Sequence, residues 1–344
     1  MRMRTAFVTG IALVTVGGLV SCSAGGDGGE ARALVLVDGG GAYHDAMQQG
    51  IIDPFQAATD ITVTTEAGTD NARLRTMVDA NRVVWDVYNG DNTWGTSADA
   101  DYLEPLDYSV IPQDEILEGY SSEYRVANSI YSIQLAWNTD SVQGTPAGWA
   151  DFFDLAKYPG KRAVMDYSAG GIFEIALLAD GVAPADLYPL DLDRAIAKLD
   201  TIKDQLVFWT SGAESEDLVG TGEVAMVMTY NARAYDVAKV LDMPVAYTFN
   251  EQILAASYLS IPKGSEHVDE AMEYIAYAVS KENNGAPSKY SPLAPSNKLA
   301  TPDATMAEEL PTSHLDATYA EFDDEWIAAN AAELEQVYQQ WRAS

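Results

Sequence analysis

Ala33-Leu34-Val35-Leu36-Val37, closed by Asp38-Gly39-Gly40-Gly41, is a continuous apolar run stopped abruptly by a flexible turn. An unbroken apolar run of this length reads as a strand buried on both faces, the signature of a parallel sheet covered by helices. The chain that follows keeps the pattern. A helix is expected from Tyr43 to Phe55, a strand over Ile61–Thr65, a helix around Asn71–Ala80 and a strand over Val83–Tyr88. Strand and helix in alternation are the βαβ units of an open α/β sheet. Ligands of such sheets lie beyond the carboxyl ends of the strands. That directs attention to Gly39–Tyr43 and to Asn89-Gly90-Asp91-Asn92-Thr93-Trp94.

Further on, Ile130–Trp137 reads as a long strand running into Asn138-Thr139-Asp140, a crossover into a second lobe. There, strands are expected at Arg162–Met165, Leu206–Trp209, Val224–Tyr230 and Val245–Phe249. Helices are expected at Ile172–Ala179, Leu192–Ile202 and Ala232–Leu241. Tyr258–Ile261 crosses back, and helix Val268–Val279 docks on the first lobe. The tail reads as a helix from Asp323 to Trp341 with an apolar stripe of Trp326, Leu334, Val337 and Trp341. The expected domains are residues 33–137 plus 259–320 for the first lobe, 138–258 for the second and 321–344 for the terminal helix.

The N-terminus has a different character. Arg2 and Arg4 precede an apolar, small-residue segment from Ala6 to Val20, and Leu19-Val20-Ser21-Cys22 ends it with the only cysteine of the chain. The segment is shorter than the roughly 20 residues that span a bilayer, and it suits a secretory signal. Its end resembles the lipobox of bacterial lipoproteins, which implies a signal peptide over 1–21 and acylation of Cys22. Two or more acyl chains would give a stable membrane anchor. Residues 22–32 are rich in glycine and read as a tether with a reach of roughly 15 Å. The expected location is extracytoplasmic, lipid-anchored at the outer face of the cell membrane.

Composition narrows the function. A formal net charge of −32 repels nucleic acid and favours cationic solutes. A single cysteine leaves no intramolecular disulfide and no thiolate metal site. His44, His267 and His314 are far apart in sequence, so no histidine pair marks a zinc site. No Gly-x-Ser-x-Gly elbow occurs, and Gly39-Gly40-Gly41 has neither the third glycine of a dinucleotide fingerprint nor the Lys-Ser/Thr of a P-loop. No cofactor, no metal and no catalysis are therefore expected. Two readings from other classes stand beside solute binding: an extracellular hydrolase using carboxylates, and a non-transporting sensor or adhesion lipoprotein.

Several segments carry a family likeness. Trp149-Ala150-Asp151-Phe152-Phe153-Asp154 with Tyr158-Pro159-Gly160-Lys161-Arg162-Ala163, and Ala176–Val182 running into Leu187–Asp191, resemble the solute-binding proteins of ABC importers of the spermidine/putrescine type. So do Gly222–Met226 with Tyr230-Asn231, Leu259–Gly264, and Tyr290-Ser291-Pro292 with Pro295-Ser296-Asn297. The resemblance implies an α/β fold in the form of a two-lobed type II periplasmic-binding-protein clamp, each lobe an open, mainly parallel sheet flanked by helices. It also implies a monomer that captures a polyamine or related amine and delivers it to ABC permease and ATPase subunits. Relative to that family's pattern, Gly39 replaces an aromatic, and Ala255 and Ser257 replace Trp and Asp. For a smaller amine or a polar neutral solute, the expected lining is Tyr43, Asp91, Trp94, Asp166, Trp209, Tyr230 and Tyr258. The hydroxyls and amides of Trp209-Thr210-Ser211-Gly212 are a further place for a polar head. Arg233, if it points into the cleft, turns the expectation towards an anionic or zwitterionic ligand.

Overall fold

The apolar run of the opening strand is the inner strand of a parallel trio. In the computed structural model, which describes Arg32–Ser344, β1 (Ala33–Asp38) pairs in parallel with β2 (Thr62–Ala67) on one side and β3 (Val87–Gly90) on the other. Cys22, the signal segment and the tether lie outside the described residues. A helical stretch from α1 (Gly41–Met47) through a π turn (Gln48–Ile52) into α2 (Asp53–Ala58) joins β1 to β2, and α3 (Asn71–Asp79) joins β2 to β3. Gly40 and Gly41 both carry positive φ, 74° and 62°. These angles suit glycine and let the chain turn sharply from strand into helix.

β4 (Leu103–Glu104) is short; β5 (Val126–Asn138) is long. A second parallel group follows. After α4 (Trp149–Phe153), β6 (Arg162–Met165) pairs with β7 (Leu206–Trp209) and β8 (Met226–Tyr230), with α5 (Ile172–Ala179), α6 (Leu192–Asp200) and α7 (Gly212–Gly220) among them. After α8 (Asn231–Tyr235) and its closing π turn comes β9 (Val245–Pro262), 18 residues without interruption. The chain ends with α9 (Val268–Ala278), β10 (Tyr319–Glu321) and α10 (Asp324–Ala343). All ten strands belong to one sheet, in the order β2-β1-β3-β9-β5-β8-β6-β7, with β4 and β10 attached to β9.

The two groups are joined by β5 and β9, which pair antiparallel from Val126↔Leu259 to Asn138↔Val245. Both strands pass from one hydrophobic core into the other. Val126 and Leu259 pack with Phe55, Tyr274 and Ile275, whereas Ile133, Trp137 and Ile253 pack with Phe152, Phe173 and Trp209. Separate expectations for Val245–Phe249 and Tyr258–Ile261 therefore merge into one strand. The expected strand ends at Phe249, yet the chain continues through a bulge at Asn250 and Glu251. Register shifts between Ile133 and Leu135, and Glu251 adopts φ 60° while its Oε2 accepts the Trp149 N–H at 2.6 Å.

The tail helix packs on the second core through Ile327, Leu334, Tyr338 and Trp341. Asp323 caps it by accepting from the Trp326 N–H at 2.9 Å. Trp326 and Val337, expected in the stripe, are only partly buried, and the Trp326 ring lies 5.4 Å from that of Tyr188.

Glu174, in the first turn of α5, is fully enclosed in this second core. It accepts from the Tyr188 hydroxyl at 2.7 Å through Oε1, and its Oε2 has no partner among the described residues. Burial pushes its carboxyl up to about 7. A carboxyl held more tightly by its proton in the folded chain stabilises the fold most below pH 4.5, and this contribution fades as pH rises through 7. Glu174→Gln should remove that dependence. Urea unfolding between pH 5 and 8 is expected to show wild-type stability falling relative to the variant, by on the order of 3 kcal/mol across the window.

Candidate functional site

The strands of both parallel groups point their carboxyl ends at the same space. The turns after β1, β3, β7 and β8 all open onto a cavity of about 470 Å³, within the range of small-molecule sites. Gly39–Tyr43 contributes one wall, Asn89–Asp91 a second, Thr210–Ala213 a third and Tyr230–Arg233 a fourth. Each of the first, third and fourth is also the start of a helix, where free backbone N–H groups and the helix dipole favour negative charge.

Tyr43, Asp91 and Tyr230, all expected from sequence, are brought together here. The Tyr43 hydroxyl donates to Asn89 Oδ1 at 2.5 Å, which fixes its ring against the wall. Burial pushes this hydroxyl up to about 12, so it stays a neutral donor. Asp91 Oδ1 accepts from the Thr93 N–H at 2.9 Å and the Thr93 hydroxyl at 2.6 Å, an Asx turn that orients the carboxylate just past β3. Tyr230 ends β8 and meets Tyr131 of β5 edge to face at 5.6 Å. Burial holds the Tyr230 hydroxyl well above its ordinary value. The charge of Asp91 adds to this and that of Arg233 opposes it. Tyr230 thus sits in the fields of an acid and a base at once.

The other expected residues stand elsewhere. Trp94 is fully buried behind the wall: its Cβ lies 3.1 Å from where a side chain on Gly90 would begin, and its ring is flanked by Tyr88 and the Arg75 guanidinium. Trp209 is buried behind Tyr230, 5.8 Å ring to ring, with its indole N–H bonded to the Met228 carbonyl. Asp166 faces the tail helix, accepting from the Tyr338 hydroxyl at 2.5 Å and from Arg342 Nη2 at 3.1 Å. Burial raises its carboxyl, but those two donors outweigh burial and leave it below its ordinary value. Tyr258 lines a different hollow with Arg125 and Asp324. Its hydroxyl donates to Asp324 at 3.0 Å, and the Arg125 guanidinium lies 3.8 Å from its ring centre. Four of seven candidates therefore support walls or tail contacts and do not line the cavity.

Two groups complete the cavity. Tyr131, which the sequence reading passed over, is reached because β5 alternates and places this ring opposite Tyr230. Arg233 does face the cavity, with Nη1 bonded to Glu216 Oε1 at 2.8 Å. Helix α7 was also missed, although Ser211-x-x-Glu214 carries a capping signal. Ser211 Oγ accepts from the Glu214 N–H at 3.3 Å, and Glu214 Oε2 reaches back to the Thr210 N–H at 2.8 Å. Among the described residues no cluster of His, Cys, Asp or Glu is arranged to hold a metal, and no helix is long and apolar enough to cross a membrane.

Comparison with known proteins agrees with this architecture. Residues 50–312 match the family model described as bacterial extracellular solute-binding protein. The chain is 30% identical over 326 residues to the gamma-aminobutyric acid-binding protein of Pseudomonas aeruginosa, covering 91% of this chain and 92% of that protein. Among solved structures, the Atu4243-GABA receptor superposes with a TM-score of 0.84 at 35% identity, covering 90% of this chain and 98% of that one. The binding protein AgtB from A. tumefaciens R10, in complex with agropinic acid, gives 0.81 at 29% identity, with 91% and 99% covered. The likeness is thus to a broader group than the spermidine/putrescine type expected from sequence. The chain belongs to the bacterial extracellular solute-binding protein family, as a receptor for small organic solutes of the kind that serves ABC importers and not as an enzyme.

Proposed function

We propose that the protein captures a small zwitterion, an amino acid whose ammonium and carboxylate are separated by a short carbon chain. The observation that carries this is the placement of Asp91 and Arg233 on different walls of one cavity, with Tyr230 in the field of both. Asp91 presents the oxygen not engaged by Thr93 to an ammonium. Arg233 and the first turn of α7 accept a carboxylate. The faces of Tyr43, Tyr131 and Tyr230 cover the methylene chain and add cation–π attraction at the amine end. The polyamine expected from sequence gives way for a physical reason: a diamine would bring its second ammonium against Arg233. That two similar proteins carry GABA in their names supports the same class.

The working cycle follows from the two cores. The proposed lobes are residues 33–137 with 259–320 and residues 138–258, with the tail 321–344 riding on the second. The sequence places the hinge near Trp137–Asp140 and Ala256–Leu259. The change of core supports a hinge earlier in β5, at Ile130–Ile133 paired with Ile253–Ala256. Closure about this pair brings Asp91 and Arg233 onto one guest, after which an ABC permease and ATPase would take it over. A lipid on Cys22 would keep the receptor at the membrane. Cys22→Ser should release the protein into the medium or periplasm, seen by fractionation; unchanged membrane association would reject the anchor.

Calorimetry or thermal shift with γ-aminobutyrate, longer and shorter ω-amino acids, putrescine, spermidine and succinate tests the ligand class. Compounds with one amine and one carboxylate should raise the melting temperature, by the equivalent of about 2.7 kcal/mol at 100 times Kd. Asp91→Asn and Arg233→Gln should each weaken binding by roughly 10- to 100-fold, the worth of a charge-assisted hydrogen bond. Binding of diamines with no response to amino acids would reject the reading.

A further inference from the structure

Arg233 is held by one short stretch of a single helix. Its stem crosses the first turn of α7 where Gly212 has no side chain: a Cβ there would stand 2.5 Å from Arg233 Nε, 3.1 Å from Cδ and 3.2 Å from Cγ. Four residues further, on the same face of α7, Glu216 accepts from Nη1 at 2.8 Å. The Glu216 and Arg233 side chains are 14% and 24% exposed, so the pair is sheltered enough to hold one geometry. Nη2 is directed away from this clamp, 3.6 Å from where a Cβ on Gly41 would lie, on the opposite wall. Glu216 is the one hydrogen-bonded partner of the guanidinium among the described residues; Nε packs against Gly212, and Nη2 is left as the donor on the Gly41 side of the cavity.

A rival acid makes the clamp meaningful. Asp236, three residues after Arg233, is half-buried and feels both Glu216 and Arg233. Burial and the negative charge of Glu216 push its carboxyl up to about 6. Were Glu216 absent, Asp236 would remain as an acid whose charge couples to Arg233 and could compete for the guanidinium.

We propose that Gly212 and Glu216 are positioning residues that make Arg233 the specificity-determining cation of the cavity, Gly212 by leaving room for the guanidinium stem and Glu216 by holding Nη1 so that Nη2 faces the guest. This rests on the zwitterion reading for the identity of the guest but not for the geometry of the arginine. Gly212 is the first residue of α7, its φ lies outside the left-handed region, and alanine is the better helix former. Gly212→Ala therefore keeps the fold and disturbs mainly the arginine.

Two readouts test it on the full folded chain. The first is the arginine Nε–Hε NMR spectrum without ligand, with the Arg233 signal identified by its loss in Arg233→Lys. It should be displaced in Gly212→Ala and in Glu216→Ala, and displaced less in Glu216→Gln, which keeps an acceptor. The second is the affinity for γ-aminobutyrate, expected to fall about tenfold or more in the first two variants with little change in melting temperature. An Arg233 signal that stays put in both variants, or wild-type affinity for γ-aminobutyrate in both, overturns the proposal. If wild type binds no amino acid while the Arg233 signal moves as expected, the zwitterion reading fails and the positioning of Arg233 stands.

Discussion

The antiparallel pairing of β5 with β9 is the constraint on which the rest of the molecule depends. It is the seam where two parallel groups of strands, each with its own core, become one sheet. Residues at one end of these two strands, Val126 and Leu259, pack in one core, and residues at the other end, Trp137 and Val245, pack in the other. Backbone hydrogen bonds run the length of the seam, so the cores cannot drift apart. Side-chain packing changes allegiance near Ile130 and Ile253, which is where the proposed hinge lies. A bulge at Asn250–Glu251 supplies local twist on the same strand and gives Trp149 of α4 a carboxylate to bond.

The site follows from strand direction. Parallel strands deliver every loop after them to the same edge, and helices that begin there aim their N–H groups inward. Two such edges face each other across the seam. An overall charge of −32 would by itself make any cleft attractive to cations. Here three helix starts and Arg233 place positive potential in a strongly negative protein, while Asp91 keeps one wall negative. A cavity with opposite charge on opposite walls discriminates by the spacing of charges in the guest, which net charge alone cannot do.

The parallel strands were legible because their apolar runs leave no doubt about period: Arg162–Met165, Leu206–Trp209 and helix Ile172–Ala179 fall where the pattern puts them. β9 was split because polar residues in its middle look like a turn, and nothing local reveals that Glu251 is consumed by Trp149, a hundred residues away. The β3 boundary was drawn early for the opposite reason: Val83, Val84 and Trp85 are apolar, yet Val84 is 57% exposed and the ladder begins only at Val87. In the cavity, chemistry-bearing loops could be named from topology, which located Tyr43, Asp91 and Tyr230. Large aromatics such as Trp94 and Trp209 are equally at home behind a wall, and only packing separates lining from support.

Arg233 shows how far a single side chain can carry the argument beyond fold. Its presence after Tyr230-Asn231 is plain in the sequence, but its direction is not. That direction depends on a missing Cβ at Gly212 and a carboxylate at Glu216, on a helix that composition alone did not suggest. Asn231 beside it spends both ends of its amide on the backbone, accepting from Ser132 N–H and donating to the Pro292 carbonyl, and so ties the start of α8 to β5 and to the loop after α9. The arginine is thereby mounted on a fixed base and steered by a neighbouring helix. On the proposed reading, an ammonium approaching this wall would meet a cation tied to Glu216, whereas a carboxylate would meet the Nη2 donor on its side of the cavity. Selection at this wall would then be against the wrong charge as much as for the right one.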